Sequence, residues 1–234
     1  EVPAKLYAKG VRAGDVRYFD YNEDGDITDA DRVNVGKAIP DFYGGITSNF
    51  SYKGFDLSLF GQFSVGGKVM AAWRGVNGSE GTDHLGLALS NVKVGDRGES
   101  VEQFFNISKE VANGYWRGEG TSNSIPRPVR IGVHTGYDYD YNVQTSTRYL
   151  EDASYFKLKT VTLGYTLPES ITKKIHVNSL RVYVSADNLL TFTKYSGYDP
   201  ETSFSGSPGD SNYGVDFGLQ PVLRTFIFGL NLNF

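Results

Sequence analysis

Five segments of this chain alternate apolar and polar residues with a period of two, and the connections between them are alternately short and very long. The first segment, 44–53, sets Ile46, Phe50 and Tyr52 against Thr47, Asn49, Ser51 and Lys53. The second, 55–65, puts Phe55, Leu57, Leu59, Phe63 and Val65 opposite Asp56, Ser58, Gln62 and Ser64. In 154–167 Val161, Leu163, Tyr165 and Leu167 share a face. In 179–190 Leu180, Val182, Val184 and Ala186 point away from Arg181, Tyr183, Ser185 and Asp187. The last, 225–234, aligns Phe226, Phe228, Leu230, Leu232 and Phe234. Period two is the strand signature. Phe156 and Leu158 fall out of phase with the third set, which predicts a bulge or a protein-covered end.

Lys53-Gly54 joins the first two strands tightly, and the short piece PESITKKIHVN joins the third and fourth. The other stretches are long: about 41 residues before strand one, roughly 85 between two and three, and about 30 between four and five. Compact domains rarely tolerate structureless loops beyond ~15 residues. Strict alternation of short turns with long loops is instead the asymmetry of an outer-membrane barrel. In water, five strands with one apolar face need a second layer of comparable size, which this chain does not offer. In a bilayer the lipid covers that face, and a closed barrel satisfies every backbone group. The expected fold is therefore all-β: about five C-terminal strands of a large antiparallel transmembrane β-barrel with long extracellular loops. Five strands cannot close a barrel, for which ~8 is the minimum, so further strands must complete it. The opening EVPAKLYAKG, neither a signal peptide nor a tidy domain start, is expected to continue from a longer protein.

Composition agrees. Aromatics make up 14% of the 234 residues, with 16 Tyr and 15 Phe against one Met, which favours strands over helix bundles. No apolar run approaches the ~18 residues of a membrane helix. The mean hydropathy of −0.34 does not argue against strands whose lipid-facing residues alternate with polar ones. Cysteine is absent, so disulfides and thiolate metal sites are excluded. No basic stripe marks a nucleic-acid partner.

The net charge of −4 is concentrated. Residues 20–31 hold six acids and no base, leaving the rest of the chain positive by two. DYNEDGDITDAD follows the calcium-loop grammar. Asp20, Asn22 and Asp24 take positions 1, 3 and 5, Gly25 makes the turn, Asp26 offers a backbone carbonyl, Ile27 anchors the loop and Asp31 closes it. Ca²⁺ wants six to eight oxygens, and this spacing wraps them around one point. Asp31 departs from the EF-hand glutamate, and the ending resembles the loop of dockerin modules. The flanks VRAGDVRYF and RVNVGKAIP are too short and β-branched for paired helices. The expected role is structural Ca²⁺ in a long extracellular loop, set against a merely solvated acidic turn.

Elsewhere catalytic chemistry is missing. GQFSVGGKV fails the phosphate-loop pattern, because Lys68 precedes Val69 and no helix follows. His84, His134 and His176 lack ligand spacing, and no G-x-S-x-G elbow exists. No enzyme is expected. Within the middle loop, Val101, Phe104, Phe105, Ser108 and Val111 of 99–113 stand at helical spacing and predict a short amphipathic helix. Trp73, Tyr115 and Trp116 could stack on a solute or pack the loop onto itself.

Several blocks together resemble the SusC/RagA type of TonB-dependent outer-membrane transporters. They are GDVRYFDYNEDGDITDADRVNVGKAIPDFYGGITSNFSYKGFDLSLFGQ, YWRGEGTSNSIPRP, RYLEDASYFKLKTVTLGYTLP and LRVYVSADNLLTFTKYSGYDPE. The resemblance implies a plugged barrel of about 22 strands, importing oligosaccharides or peptides. A SusD-type surface lipoprotein would lid its mouth, and a TonB complex would act through an N-terminal plug lying outside this chain. It implies an outer-membrane location, with Phe234 and the Lys173-Lys174 turn periplasmic and the acidic loop outside. Residues 1–41 then form an extracellular loop carrying the calcium-type motif. Residues 42–234 hold the barrel strands, with loops at about 69–152 and 191–221. Two rivals stay open: a secreted calcium-stabilised β-domain for adhesion or glycan binding, and a plain porin without plug or lipoprotein.

Overall fold

The period-two segments form one meander. This computed structural model describes residues 1–74, 86–88, 90–94, 99–103, 109–127, 129–131, 141–201 and 213–234. Its main sheet contains β1 (Phe42–Tyr52), β2 (Phe55–Val65), β3 (Tyr155–Thr166), β4 (Ser179–Thr193) and β5 (Thr225–Asn233), hydrogen-bonded in that order. All four pairings are antiparallel. β2 and β3 pair directly although a long stretch of chain separates them, whereas β1 and β5 are the sheet's two edges. Among the described residues no helix is long and apolar enough to cross a membrane, so any crossing falls to strands.

Local chemistry explains the turns. Lys53 and Gly54 both have positive φ, at 47° and 90°. That is the signature of a two-residue hairpin turn whose twist matches its strands, and glycine adopts it without a side-chain clash. Between β3 and β4 the chain makes one helical turn, Glu169–Thr172, and a tighter one, Lys173–Ile175. The exposed Lys173–Glu169 pair, 2.7 Å apart, sits at the i,i+4 spacing that favours a helical turn.

The phase break at Phe156 and Leu158 is a bulge. Phe60 pairs with Thr160, yet Gly61 pairs with Leu158, so Lys159 is the extra residue. Against β4 the register shifts at the same level, between Asp187 and Leu190. The inserted residue puts Phe156 and Leu158 back on the face of Val161 and Leu163, in step with Phe63 on β2.

The chain divides into two compact units: Glu1–Val35 with Met70–Leu150, and Gly36–Val69 with Glu151–Phe234, which carries the sheet. In the first, Leu6, Val11 and Tyr141 form one buried cluster, against which Val2, Tyr18 and Ile27 pack. Asp15 is the hub of its polar contacts. Its carboxylate accepts from Arg127 Nη2 (3.0 Å), Asn142 Nδ2 (2.9 Å) and the Arg12 amide (2.8 Å).

One expectation is corrected. The helix over 99–113 does not form as a unit: Glu99–Gln103 is a strand paired antiparallel with Ser90–Val94, and only Lys109–Gly114 is helical, with Val111 buried. Phe104, Phe105 and Ser108 lie outside the described residues. Val92 and Val94 alternate along one strand, and Val101 is the residue opposite Val92. β-branched residues in alternation favour extended chain once a partner strand is present, which overrides the helical spacing.

Candidate functional site

The sheet presents two chemically opposite faces. On one, Phe50, Phe55, Leu163, Phe226, Phe228 and Leu230 stay exposed, Phe228 at 80% and Leu230 at 66%. Among the described residues no second layer covers them. Contiguous apolar surface of this kind marks a lipid or protein interface. Aromatic residues concentrate at its two ends. At the turn end Tyr52, Phe55 and Tyr165 are successive cross-strand neighbours, with the last two rings 4.4 Å apart. At the loop end Phe63, Phe156 and Phe192 form a second row, the last two 6.2 Å apart. The eight residue steps from Phe55 to Phe63 span about 27 Å along the strand. At a strand tilt near 40° this gives about 20 Å of height, of the order of the ~25 Å apolar band of an outer-membrane barrel.

The other face is polar and cross-linked. Arg181 on β4 passes over Gly164 of β3 to grip Asp56 of β2, with Nε 2.9 Å from Oδ1 and a second contact from the guanidinium end. Thr162 and Ser185 hydroxyls meet at 2.8 Å, and Gln62 donates to the Tyr155 hydroxyl at 3.1 Å. Nearer the loop end, Lys157 Nζ contacts Asp199 and lies 2.8 Å from Glu201, while Lys159 Nζ lies 2.6 Å from the same Glu201 oxygen. Burial opposes the Glu201 charge, but the two ammonium groups outweigh it and hold its pKa below the usual range. These residues were not singled out from sequence. Their one signal was two lysines on the polar face of a strand, with no hint of partners more than 40 residues away.

The acidic loop closes on itself. Asp20 accepts from the amides of Asp24 (3.2 Å) and Gly25 (2.7 Å), and Asn22 Oδ1 accepts from Asp24 N at 3.1 Å. Asp24 accepts from Asp26 N at 2.8 Å and from Asn22 Nδ2 at 3.2 Å. Asp31 reaches back to the amides of Tyr21 (2.9 Å) and Thr28 (2.7 Å), completing a capping box around the turn Asp29–Asp31. The Asp26 carboxylate, which the motif does not need as a side-chain ligand, turns to Lys9 Nζ at 2.6 Å. Lys5 donates to the Asp24 carbonyl. The lysine contact pulls the Asp26 pKa down, and the Thr28 amide pulls down that of Asp31. The first and last carboxylates thus draw the loop's amides inward, and Ile27 packs on the Leu6–Val11–Tyr141 core. As they stand, no three acidic or histidine side chains among the described residues converge as a cation cage.

The remaining singled-out residues that are described take packing and turn positions. Trp116 lies over Gly14, where a Cβ would come within 2.2 Å of the ring, so this tryptophan packs its own unit. The Arg117 guanidinium sits 4.6 Å from the Tyr115 ring centre, and Trp73 is half-buried in a short helical turn. His176 closes the β3–β4 turn at a φ of 55°, while His84 and His134 lie outside the described residues.

No family model matches the chain. Individual proteins do. TonB-dependent receptor P3 of Formosa agariphila is 34% identical over 221 residues, covering 93% of this chain and 19% of that protein. TonB-dependent receptor SusC of Bacteroides thetaiotaomicron is 26% identical over 232 residues, covering 98% and 19% respectively. The chain thus spans about a fifth of the length of the curated relatives it matches. The RagAB peptide importer in its closed-closed state shares the fold, with a TM-score of 0.55 at 22% identity over 85% of this chain and 18% of that one. The relatives are receptors and transporters rather than enzymes. With an uncovered apolar face on barrel-ordered strands and relatives matched over nearly its whole length, the chain belongs to the TonB-dependent receptors of the outer membrane and matches their C-terminal part.

Proposed function

We propose that this chain supplies the C-terminal strands and adjoining loops of a TonB-dependent active importer of oligosaccharides or peptides. The observation that carries the reading is the exposed apolar face, bounded by two aromatic rows, on strands that follow one another as in an outer-membrane barrel. Lipid covers that face, the rest of the barrel completes the two sheet edges, and a plug fills the interior. A SusD-type surface lipoprotein lids the mouth, the acidic loop faces the outside and the C-terminus the periplasm. A named likeness supports the peptide class, since RagAB is described as a peptide importer. The test is growth of a strain lacking the complete receptor on defined oligosaccharide and peptide pools, with TonB intact or disrupted. Loss of growth on one pool, reproduced by TonB disruption, supports active import. Unchanged growth on every pool overturns it.

Structural Ca²⁺ in the acidic loop is part of the same proposal, with Asp20, Asn22, Asp24, Asp26 through its carbonyl, and Asp31 as ligands. The donor chemistry fits, since all are hard oxygens spaced for one cation. Asp20 and Asp31 already gather the amides that orient the loop. Binding would pin the loop and stabilise it by mass action. Calcium should raise the melting temperature of the complete receptor, and Asp24→Ala should abolish that rise. A receptor whose melting temperature ignores calcium removes the metal from the proposal.

A further inference from the structure

The segment 194–201 lies against the polar face of β3, with Tyr195, Asp199 and Pro200 buried and two lysines of the strand paired to its acids. Lys157 is 1% exposed and Asp199 only 7%, although each carries a full charge. An ammonium group is excluded from water at tolerable cost only when paired and hydrogen-bonded. Lys157 meets both Asp199 and Glu201, and Lys159 takes Glu201 with both oxygens, at 2.6 and 2.9 Å. Two lysines and two acids cancel. Asp199 also accepts from the Glu201 amide at 2.9 Å, which fixes the acids relative to each other. Three more hydrogen bonds tie the segment down. Ser196 donates to Glu151 through its amide (2.8 Å) and hydroxyl (2.7 Å), and the buried Tyr195 hydroxyl donates to Asp216.

The covered face is the one opposite Phe156, which stays exposed. Lys159 is four residues in from Tyr155, so the contact reaches about 13 Å along the strand from its loop end. A loop that only brushed the rim would leave both lysines wet.

The geometry points to residues 194–201 as a fixed strap folded onto the interior face of the barrel wall, with Lys157 and Asp199 as its lock, so that the conduit at this level is lined by the strap rather than by β3. The inference rests on the barrel reading, because only a closed barrel makes the polar face an interior.

The test uses the complete receptor extracted from outer membranes into detergent micelles, where both ends of the barrel meet solvent, probed with a small amine-reactive reagent and by amide hydrogen exchange. In the unaltered receptor Lys157 should label far more slowly than Lys173, whose side chain is 74% exposed. Asp199→Asn leaves the buried ammonium short of a partner. It should raise Lys157 labelling and exchange across 194–201 roughly a hundredfold, with 161–166 still protected. Glu201→Gln, which leaves Asp199 on Lys157, should give a smaller rise in the same segment. The strap is refuted if Lys157 labels like Lys173 before any substitution, or if neither variant changes the segment. It is also refuted if 161–166 loses protection together with 194–201, since the cluster is then general support for the sheet. A receptor absent from the membrane fraction sinks the barrel reading instead, a separately visible outcome.

Discussion

The five-stranded sheet and the unit built from 1–35 and 70–150 are stabilised by opposite means. The sheet is held by four antiparallel ladders and has an apolar face that none of the described residues covers. The other unit buries apolar residues of its own, Leu6, Val11, Tyr141 and Tyr149 among them, and has a polar hub at Asp15. The first borrows its hydrophobic partner from its surroundings. The second supplies its own contacts and needs ions and amides to hold long segments together. The contrast implies that the same kind of substitution should matter in different solvents, and three measurements can break or sharpen it.

The largest effect is expected at Val161, which pairs with Leu59 midway between the two aromatic rows. A charge placed on the lipid face near mid-membrane costs about 2–4 kcal/mol, so Val161→Arg should weaken folding of the complete receptor into lipid vesicles by that much. Its neighbour Thr162, on the polar face, should tolerate arginine far better. Equal tolerance at both positions would abolish the two-faced description. Asp15→Ala comes next. It strands Arg127 and Asn142, and losing charged hydrogen bonds costs about 1.5–3 kcal/mol, discounted because Arg127 is about a third exposed. Faster hydrogen exchange in 11–18, 125–127 and 141–149, with β3 and β4 unchanged, is the expected pattern. Exchange that rises equally in the sheet would mean the two units do not respond independently.

The smallest effect is pH-dependent. Glu201 is held below its usual range by Lys157 and Lys159 despite burial. A carboxylate with a depressed folded pKa stabilises above its unfolded value, about 4.3, and loses that contribution as pH falls through the folded value. Exchange across 194–201, corrected for the intrinsic rate, should therefore be flat from neutral pH to about 5 and rise in stronger acid. Glu201→Gln should remove the rise.

Much of the sheet could be read from residue order, because period two is a local property. All five strands stand within a few residues of the expected bounds, and the phase slip at Phe156 and Leu158 is the bulge at Lys159. The acidic loop was legible for the same reason, since its donors lie within twelve consecutive positions; the turn onto Lys5 and Lys9 was not. The helix expected over 99–113 failed because its apolar spacing suits either structure, and a partner strand at Ser90–Val94 tipped the choice.

What residue order established, then, is the alternation, the short and long connections, and the chemical identity of each face, all of which depend only on neighbours along the chain. Which strand lies beside which across some 90 residues, where the strap lands, and that Lys157 is dry and paired were settled by the assembled fold. Those outcomes depend on contacts between distant segments, whose loop-closure cost and mutual burial no short window of sequence records.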